Sequence, residues 1–425
     1  MKIENNALTK VVIIGGGFAG LNLAMQLAKD KSYDITLVDK NNYNYFVPLL
    51  YQVATSFLEP SSISYPFRKL FRKNGVKFRL GALLKVEPEL KTCHLDTGEI
   101  TYDKLVFATG TQSNFFDMEN IKKYAIPMKN IDDALKMRNA LLKTLERASV
   151  TNDMVERKQL TTIVVAGGGP TGVEVAGMLA ELRKFILAKD YPELKGSSGD
   201  IYIVDGGRSL LLPMSEKTHN ETFDVLNNLG VKIILNTHVS DYQNGQVSLS
   251  TGKIIEARSL IWAAGVTANV FEGIPATSLG VGKRMITNEF NQVEGLTDVY
   301  AIGDACVMTT DSKFPKGHPQ LAQPAIQQGQ ALAKNFKAVS AGKLMKPFIY
   351  NDKGSMAIIG RRYAVLDLLI PTATHLRGFP ALFVWLFIHL MSLVNYRNKL
   401  STFINWTVSY LTRDQALRMI FRSGD

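Results

Sequence analysis

The sequence contains little cysteine. Among its 425 residues only Cys93 and Cys306 occur, far apart in the chain. Two such residues give no disulfide framework, and this usage is typical of a reducing compartment. No C-x-x-C or C-x4-C pair is present, which excludes the dithiol chemistry of disulfide reductases. Metal-ligand spacing is also missing, so we expect no metal site.

Blocks of basic residues are missing as well, although the formal net charge is +11. That charge admits nucleic acid, an anionic membrane or anionic small molecules as partners. Because no Lys/Arg block accompanies it, we expect no nucleic-acid binding. The first strand is predicted from Val11, which leaves too little chain for a signal or transit peptide, so we expect a bacterial cytoplasmic origin.

Long apolar runs are also scarce. Between Arg377 and Arg397 lie nineteen uncharged residues, which as a helix would extend roughly 28 Å, close to the minimum for a membrane span. A crossing would also leave basic residues on the far side, against the positive-inside tendency. These residues are Arg397, Lys399, Arg413, Arg418 and Arg422. We therefore expect two helices lying in the membrane interface, with Trp385, Trp406 and Tyr410 at headgroup depth. A buried C-terminal helical hairpin or a dimer contact is the alternative.

A strand–glycine–helix pattern stands near the start of the chain. The apolar run Val11–Ile14 is typical of a strand buried on both faces. It leads into G-x-G-x-x-G, formed by Gly15, Gly17 and Gly20. Such glycines allow a tight turn and a close approach to a pyrophosphate at a helix N-terminus. Asp39, at the end of the next predicted strand, can accept hydrogen bonds from an adenosine ribose, so the combination predicts a dinucleotide site. A Gly-rich turn without a ligand is the alternative.

The same pattern returns 152 residues later. The apolar run Ile163–Ala166 precedes Gly167, Gly169 and Gly172. Asp205 ends the following strand and takes the place of Asp39. Two copies predict two dinucleotides held face to face. Asp205 could also be a turn residue, and Arg208 could meet a 2′-phosphate, so NADPH use stays open.

Later segments connect the two nucleotide units. Two apolar strands end in Thr109–Gly110 and in Ala264–Gly265, where the chain can pass from one unit to the other. A further strand leads to Gly303–Asp304. A helix is then predicted from about Ala322, because Pro324 suits a first turn. Gln323 and Gln327 project from one face of that helix. His318 before it is expected to be structural, and Arg361–Arg362 to be a solvated pair.

These motifs resemble the two-dinucleotide flavoprotein superfamily and, within it, the type II NADH dehydrogenases (NADH:quinone oxidoreductases). The resemblance covers essentially the whole chain. Its specific parts are Pro48–Ala54, Gly169–Glu174, the Ala322-Gln323-x-Ala-x-Gln327 pattern and the apolar C-terminal tail. The chain departs from many relatives in having Asn44-Tyr45-Phe46 for His-Leu-Phe, and Asp205 for the usual Glu.

The resemblance implies an α/β fold with two Rossmann-like domains, the FAD domain being interrupted by the NADH domain. The implied domains are 1–115 with 295–340 for FAD, 116–294 for NADH, and 341–425 for membrane anchoring. The implied enzyme transfers hydride from NADH to FAD and two electrons to membrane quinone, without pumping protons. It would be a homodimer on the cytoplasmic face of the bacterial inner membrane.

The resemblance also implies the site residues. Those for FAD are Gly15, Gly17, Phe18, Ala19, Gly20, Asp39, Lys40, Val86, Thr109, Gly110, Gly303, Asp304, Ala322 and Gln323. Those for NADH are Gly167, Gly169, Pro170, Thr171, Gly172, Glu174, Asp205 and Gly265. Glu174, Gln323 and Gln327 are the predicted catalytic residues. Glu174 could instead complement the helix dipole, but a charge near pyrophosphate is unfavourable, which favours a role at the nicotinamide–flavin contact.

The sequence leaves three other functions as alternatives. A soluble ferredoxin or rubredoxin reductase would share both nucleotide units but would have no use for the apolar tail. A sulfide:quinone oxidoreductase would need a cysteine trio that two cysteines cannot supply. A flavoprotein redox sensor would keep the fold but reduce quinone poorly.

Overall fold

The computed structural model describes residues 8–196, 198–369, 372–412 and 417–420. Of the predicted anchoring region, Arg413 and Arg422 lie outside these described residues. The chain forms two compact units. The first contains the described residues up to 45, together with 65–112 and 266–352. The second contains 46–64, 113–265 and the described residues from 353 onward.

A five-stranded parallel sheet forms the centre of the first unit. Its order is Val299–Ala301, Lys104–Phe107, Thr9–Ile14, Tyr33–Asp39 and Lys77–Leu80. From Val11 on, the central strand is buried, as expected of a parallel strand covered on both faces. The helices Phe18–Leu27 and Ala322–Ser340 pack together in this unit. A Cβ atom on Gly329 would lie 2.4 Å from the Ala19 carbonyl oxygen, so glycine permits this close packing.

Smaller elements complete the first unit. An antiparallel sheet contains Leu83–Glu87, Thr92–Leu95 and Gly98–Thr101, and a parallel pair contains Met285–Thr287 and Cys306–Met308. The remaining elements are the strand Tyr43–Tyr45, the helix Phe67–Phe71 and the 3-10 turns Ala276–Ser278, Val281–Lys283 and Gly303–Ala305.

The second unit repeats the parallel sheet. Its order is Ile126–Pro127, Ser259–Trp262, Ile163–Ala166, Ile201–Val204 and Val231–Ile234. An antiparallel sheet follows, with strands Val239–Gln243, Gln246–Leu249 and Ile254–Glu256. Its helices before residue 353 are Leu50–Ala54, Pro60–Ile63, Glu119–Tyr124, Ile131–Val150, Met154–Thr161, Pro170–Leu182, Ala188–Asp190 and Glu216–Asn228. A π-helical turn, Arg183–Leu187, and the 3-10 turns Val47–Leu49 and Pro192–Leu194 complete them. The short strands Ser64–Pro66, Thr111–Ser113 and Val266–Ala268 lie near the boundaries between the units.

The C-terminal part of the second unit is a small sheet followed by two helices. The antiparallel strands are Gly354–Ile359, Tyr363–Leu368 and Thr374–Arg377. The two C-terminal helices are Gly378–Ser392 and Tyr396–Thr412. None of the helices among the described residues is both long and apolar enough to cross a membrane.

The chain passes between the units close to the two predicted exits. It leaves the first unit after Gln112 and returns to it at Val266. The motif Pro48–Ala54 belongs to the second unit, and residues 266–294 belong to the first. Compact units and cofactor-binding domains need not share boundaries, so the predicted FAD and NADH domains stay predictions.

Candidate functional site

The first glycine loop, Gly15–Gly20, has a backbone that only glycine fits. Gly15 has φ of +104°, and a Cβ atom there would lie 2.4 Å from the Ala108 carbonyl oxygen. A Cβ atom on Gly20 would lie 1.9 Å from the Gly15 carbonyl oxygen. At Gly17, in contrast, an added Cβ atom would meet none of the described residues within 4 Å. The loop is therefore closed toward the protein and open on the side where a pyrophosphate would lie.

Asp39 ties this loop to the end of the neighbouring strand. One carboxylate oxygen accepts a hydrogen bond from the Gly16 N–H at 2.7 Å, and the other accepts one from the Asn41 N–H at 2.8 Å. Burial raises the pKa of Asp39, although these hydrogen bonds oppose the shift. Each oxygen keeps a further acceptor position, so Asp39 can also accept from a ribose hydroxyl.

Other predicted FAD contacts in the first unit also suit a polar ligand. The Thr109 hydroxyl is buried and has no hydrogen-bond partner among the described residues. The Gly303 N–H donates to the Gln328 side chain at 2.6 Å, which fixes the turn that carries Asp304. An unsatisfied hydroxyl beside a glycine cradle fits a cofactor that brings its own acceptors and donors. Lys40 is exposed.

The two predicted catalytic glutamines differ in their surroundings. Both are partly buried near the start of the helix Ala322–Ser340. Gln327 donates to the Asn351 carbonyl oxygen at 2.9 Å and accepts from the Asn351 N–H at 3.0 Å. Gln327 thus holds the following extended segment, a contact that sequence reasoning missed because Asn351 is distant in the chain. Its predicted donation to quinone is an additional role that this pairing does not test.

The second glycine loop, Gly167–Gly172, repeats the geometry of the first. Gly167 has φ of +111°, and a Cβ atom there would lie 2.4 Å from the Ala263 carbonyl oxygen. Asp205 accepts hydrogen bonds from the Gly168 and Gly207 N–H groups, both at 2.6 Å. Asp205 is therefore a turn residue in this structure, and its second acceptor positions remain available to a ribose.

The surroundings of Asp205 also contain one polar group that has no partner among the described residues. The Ser209 hydroxyl is buried and makes no hydrogen bond to a described residue. Arg208 is exposed. Both follow the strand end at which a dinucleotide ribose is expected, so neither NADH nor NADPH is excluded by shape.

Glu174 is buried at the fifth position of the helix Pro170–Leu182, just after its first turn. Burial raises its pKa well above the usual range, and a hydrogen bond from the Ile358 N–H only partly opposes this. Tyr51 is also fully buried, and the charge of Glu174 adds to the burial that raises the pKa of its phenol. The raised pKa extends the pH range over which the carboxyl keeps its proton. A carboxyl that keeps its proton complements a helix dipole less well than a charged one, and both predicted roles of Glu174 stay predictions.

A buried aromatic and amide cluster surrounds Tyr51. The Gln52 side chain donates to the Tyr51 hydroxyl at 2.8 Å and accepts from the Trp406 indole N–H at 2.7 Å. Trp385 is fully buried and stacks on His389 with ring centroids 3.7 Å apart. Burial lowers the pKa of His389 to about 4. The rings of Trp385 and Trp406 do not face lipid, because both pack inside the second unit. The headgroup depth expected for Trp385, Trp406 and Tyr410 stays a prediction.

Arg361 also differs from its prediction. Its guanidinium lies over the rings of Phe57 and Tyr410, with centroid distances of 5.3 and 5.6 Å. It donates to the Ser409 carbonyl oxygen. Arg361 is buried, whereas Arg362 is exposed, so the expected solvated pair is wrong for the first residue. The sequence could not indicate this, since the aromatic partners come from two distant segments.

Comparison with known proteins places this geometry in a class. Residues 9–329 match the model of the pyridine nucleotide-disulphide oxidoreductase family, and residues 353–414 match the NDH2 C-terminal domain. Both cysteines are buried and free, and burial raises the pKa of Cys93 to about 12 and that of Cys306 to about 11. The chain therefore has the nucleotide-binding architecture of that class without its dithiol.

Relatives define the class more narrowly. The chain is 35% identical to the type II NADH:quinone oxidoreductase NdhA of Mycobacterium tuberculosis, over 95% of this chain and 87% of the relative. It is 33% identical to Ndh of the same organism, over 95% and 88%. The structure of NDH2 from Plasmodium falciparum in complex with NADH has the same fold, with a TM-score of 0.88 and 23% identity over 98% of this chain and all of that one. The chain belongs to the type II NADH:quinone oxidoreductases. Membership confirms the predicted family, the fold class and the enzyme class, with FAD and NADH as cofactors.

Proposed function

We propose that this chain oxidises NADH and reduces membrane quinone from the membrane surface, with FAD in the first unit and NADH in the second. The observation that carries the proposal is the pair of glycine loops with matching backbone geometry and matching aspartates. When bound, FAD accepts a hydride from NADH and passes two electrons to quinone. The protein supplies binding, orientation and the surrounding charges.

The protein groups act by position and by protonation. The predicted FAD and NADH residues form two cradles, in which backbone N–H groups meet pyrophosphate and carboxylates meet ribose. Glu174 contributes a neutral carboxylic acid beside Tyr51, so it can donate a hydrogen bond without placing a charge near a pyrophosphate. Gln323 and Gln327 offer amide donors from one helix end, which suits an uncharged quinone carbonyl.

The second C-terminal helix, Tyr396–Thr412, supports the membrane-surface part of the proposal. Its inward face is polar: Asn398 donates to the carbonyl oxygens of Ser61, Ser62 and Ser64 at 2.9–3.1 Å. Thr402 donates to the Ser62 carbonyl oxygen at 3.2 Å. Its outward face is apolar and exposed, with Leu400, Phe403, Ile404, Val408 and Leu411. A helix with its polar side toward the protein needs an apolar medium on its other side.

The first C-terminal helix, Gly378–Ser392, presents a similar outward surface. Its exposed apolar side chains are Phe379, Phe383, Phe387, Ile388 and Met391. Together the two helices form an apolar face, while basic residues such as Arg397 are positioned to meet anionic lipid. The cytoplasmic side of the membrane and a homodimeric state complete the proposal. Protease access in sealed vesicles would test the side of the membrane, and light scattering would measure the oligomeric state.

Stopped-flow measurement of the two half-reactions tests the enzymatic part. We expect Gln327→Ala to slow flavin reoxidation by a soluble quinone about tenfold and to leave flavin reduction by NADH nearly unchanged, because the amide serves the acceptor side. Gln330→Ala, three residues along the same helix, is the matched control. Equal slowing of both half-reactions would contradict the assignment of Gln327. A wild-type enzyme whose flavin is reduced by NADH but not reoxidised by quinone would contradict the proposed function.

Truncation after Thr374 would remove both C-terminal helices. Replacement of their outward side chains is a better test of membrane binding. Truncation would leave the buried Gln52 amide and the Ser62 carbonyl oxygen without the partners they have here. The triple variant Phe383→Glu, Phe387→Glu, Phe403→Glu should stay FAD-loaded and oxidise NADH with a soluble acceptor, but no longer sediment with phosphatidylglycerol-containing liposomes. The control triple Val155→Glu, Phe223→Glu, Leu344→Glu changes exposed apolar residues elsewhere. Unchanged sedimentation of the first triple would contradict the membrane face.

A further inference from the structure

His318 lies in an aromatic enclosure just before the helix Ala322–Ser340. Its side chain is buried among the rings of Phe314, Phe348 and Tyr350, with centroid distances of 5.3–5.6 Å. The imidazole Nε2 donates to the Asp311 carboxylate at 3.0 Å, while Nδ1 is buried and has no partner among the described residues. The ring therefore has one polar attachment, and it is to Asp311.

Asp311 is a buried carboxylate with three donors. Besides His318, the N–H groups of Lys313 and Tyr350 donate to it at 3.1 and 3.0 Å. Burial alone would raise the pKa of Asp311, but these hydrogen bonds outweigh it and the pKa is lowered. A charged carboxylate thus fixes residues 311–318 against the segment that carries Tyr350. The position at which the chain enters the next helix is set by this attachment.

Arg284 joins this loop to the turn that carries Asp304. Its Nε donates to the Cys306 carbonyl oxygen at 2.6 Å, and a terminal nitrogen donates to the His318 carbonyl oxygen at 3.3 Å. Cys306 follows the turn Gly303–Ala305 directly. None of the ion pairs between described residues includes Arg284. Its charge is held by backbone carbonyl groups.

The guanidinium of Arg284 is partly buried and lies near the Asp304 carboxylate. Burial lowers the pKa of the guanidinium, and the nearby Asp304 charge partly opposes this. A desolvated cation acts on its surroundings more strongly than one in water. Its two acceptors, Cys306 and His318, adjoin the predicted FAD contacts: Cys306 follows the turn with Asp304, and His318 lies four residues before Ala322.

We infer that Arg284, supported by the Asp311–His318 pair, is a positioning residue that holds the two FAD-contacting segments in register and favours the reduced, more negative flavin. This inference rests on the proposed FAD site in the first unit. It concerns neither NADH binding nor quinone binding. If Arg284 does not have this role, the proposed function still stands, because NADH oxidation by the wild-type enzyme does not require it.

The test compares Arg284→Met and Arg284→Lys with Lys316→Met, which removes an exposed cation from the same region. The readouts are the rate of FAD release from the holoenzyme and the two-electron flavin potential. For Arg284→Met we expect FAD release to be about tenfold faster. We also expect a flavin potential lower by about 30 mV, which for two electrons corresponds to a tenfold greater loss of affinity for reduced than for oxidised flavin. Arg284→Lys keeps the charge but not the fork of donors, so it should restore the potential more than the release rate.

The His318 part is tested in the same way. His318→Phe fills the aromatic enclosure without the Asp311 attachment, and His318→Gln retains a donor. We expect faster FAD release in the first variant and partial rescue in the second. If Arg284→Met does not fold, Arg284→Lys and His318→Phe decide the question. The inference is overturned if these variants release FAD and set the flavin potential as Lys316→Met does, whatever happens to the melting temperature of the protein.

Discussion

The two glycine loops share a backbone geometry but not their surroundings. In both, the first glycine has φ above 100° and lies against a carbonyl oxygen at the end of the adjacent strand. In both, an aspartate accepts from the N–H of the glycine after it, at 2.7 Å for Asp39 and 2.6 Å for Asp205. The repeated motif therefore repeats its geometry, because the strand-to-helix turn leaves it few alternatives.

The difference begins in the helix after each loop. Asn22 is half-buried and donates to the Phe18 carbonyl oxygen within its own helix at 2.8 Å. Glu174, at the same place in the second copy, is buried. The second helix is covered by the C-terminal sheet, since Gly177 lets Gly360 approach so closely that a Cβ atom would lie 2.4 Å from its nitrogen. The loop thus fixes the same backbone geometry in both copies, whereas the covering element fixes the environment of the side chain at this position.

The largest expected effect comes from adding a methyl group to each loop. Gly15→Ala should be purified with little FAD, whereas Gly167→Ala should keep its FAD and raise the KM for NADH about tenfold or more, equivalent to at least 1.4 kcal/mol. Both clash with a backbone carbonyl oxygen. Flavin absorbance and steady-state kinetics measure the two results.

Gly17→Ala and Gly169→Ala are the matched controls for these variants. Neither added Cβ atom would meet a described residue within 4 Å. These variants should therefore fold normally and lose only affinity for the nucleotide. If Gly15→Ala and Gly167→Ala both lost FAD and left NADH binding unchanged, the assignment of one cofactor to each loop would be wrong.

The aspartates give the next largest effect. Asp205→Ser removes the acceptor for two backbone N–H groups as well as the predicted ribose contact. We expect the wild-type enzyme to have the higher kcat/KM for NADH, and this variant to lose about tenfold for NADH but less for NADPH, because the repulsion of a 2′-phosphate is gone. Asp39→Ser is the counterpart and should affect FAD retention instead. A wild-type preference for NADPH would show that Arg208 dominates and that Asp205 was misinterpreted.

Much of the nucleotide-binding frame could be predicted from the sequence because it depends on local patterns. Apolar runs, glycine spacing and strand-end acids are short-range features, and they located both loops. The helix predicted from about Ala322 extends over Ala322–Ser340. The apolar strand predicted to end in Thr109–Gly110 is present but ends earlier, at Phe107. The family resemblance then supplied the enzyme class.

What could not be predicted depends on contacts between distant segments. The polar inward face of Tyr396–Thr412 exists because Ser62 presents a carbonyl oxygen there. Trp406 is buried because Gln52 accepts from its indole. In sequence alone, Trp and Tyr in an apolar tail favoured the membrane interface. Only the tertiary contacts distinguish rings that face lipid from rings that face the protein.

Protonation of Glu174 gives a smaller, pH-dependent effect on stability. Its folded pKa is raised, so the folded state keeps the proton to higher pH than the unfolded state does. The resulting stability is present at low pH and is lost as pH rises through the raised pKa, by about 1.4 kcal/mol for each pH unit between the two pKa values. Glu174→Gln should therefore melt like the wild type near pH 4 and at higher temperature near pH 9. Glu119→Gln, on the surface of the same unit, should follow the wild type at both.

The smallest effect should come from giving the first helix the acid of the second. In Asn22→Asp the new carboxylate is half-exposed and so stays charged, unlike Glu174, and it loses the hydrogen bond that Asn22 donates to Phe18. A negative charge close to the proposed FAD pyrophosphate should speed FAD release about threefold, a change of roughly 0.7 kcal/mol. Asn22→Ala removes the same hydrogen bond without adding charge, so the difference between the two variants isolates the electrostatic part. That difference should shrink in 0.5 M NaCl, where a half-exposed charge is screened. If Asn22→Asp released FAD no faster than Asn22→Ala at low salt, the first loop would not carry a pyrophosphate near this position, and the parallel between the two units would not extend to their ligands.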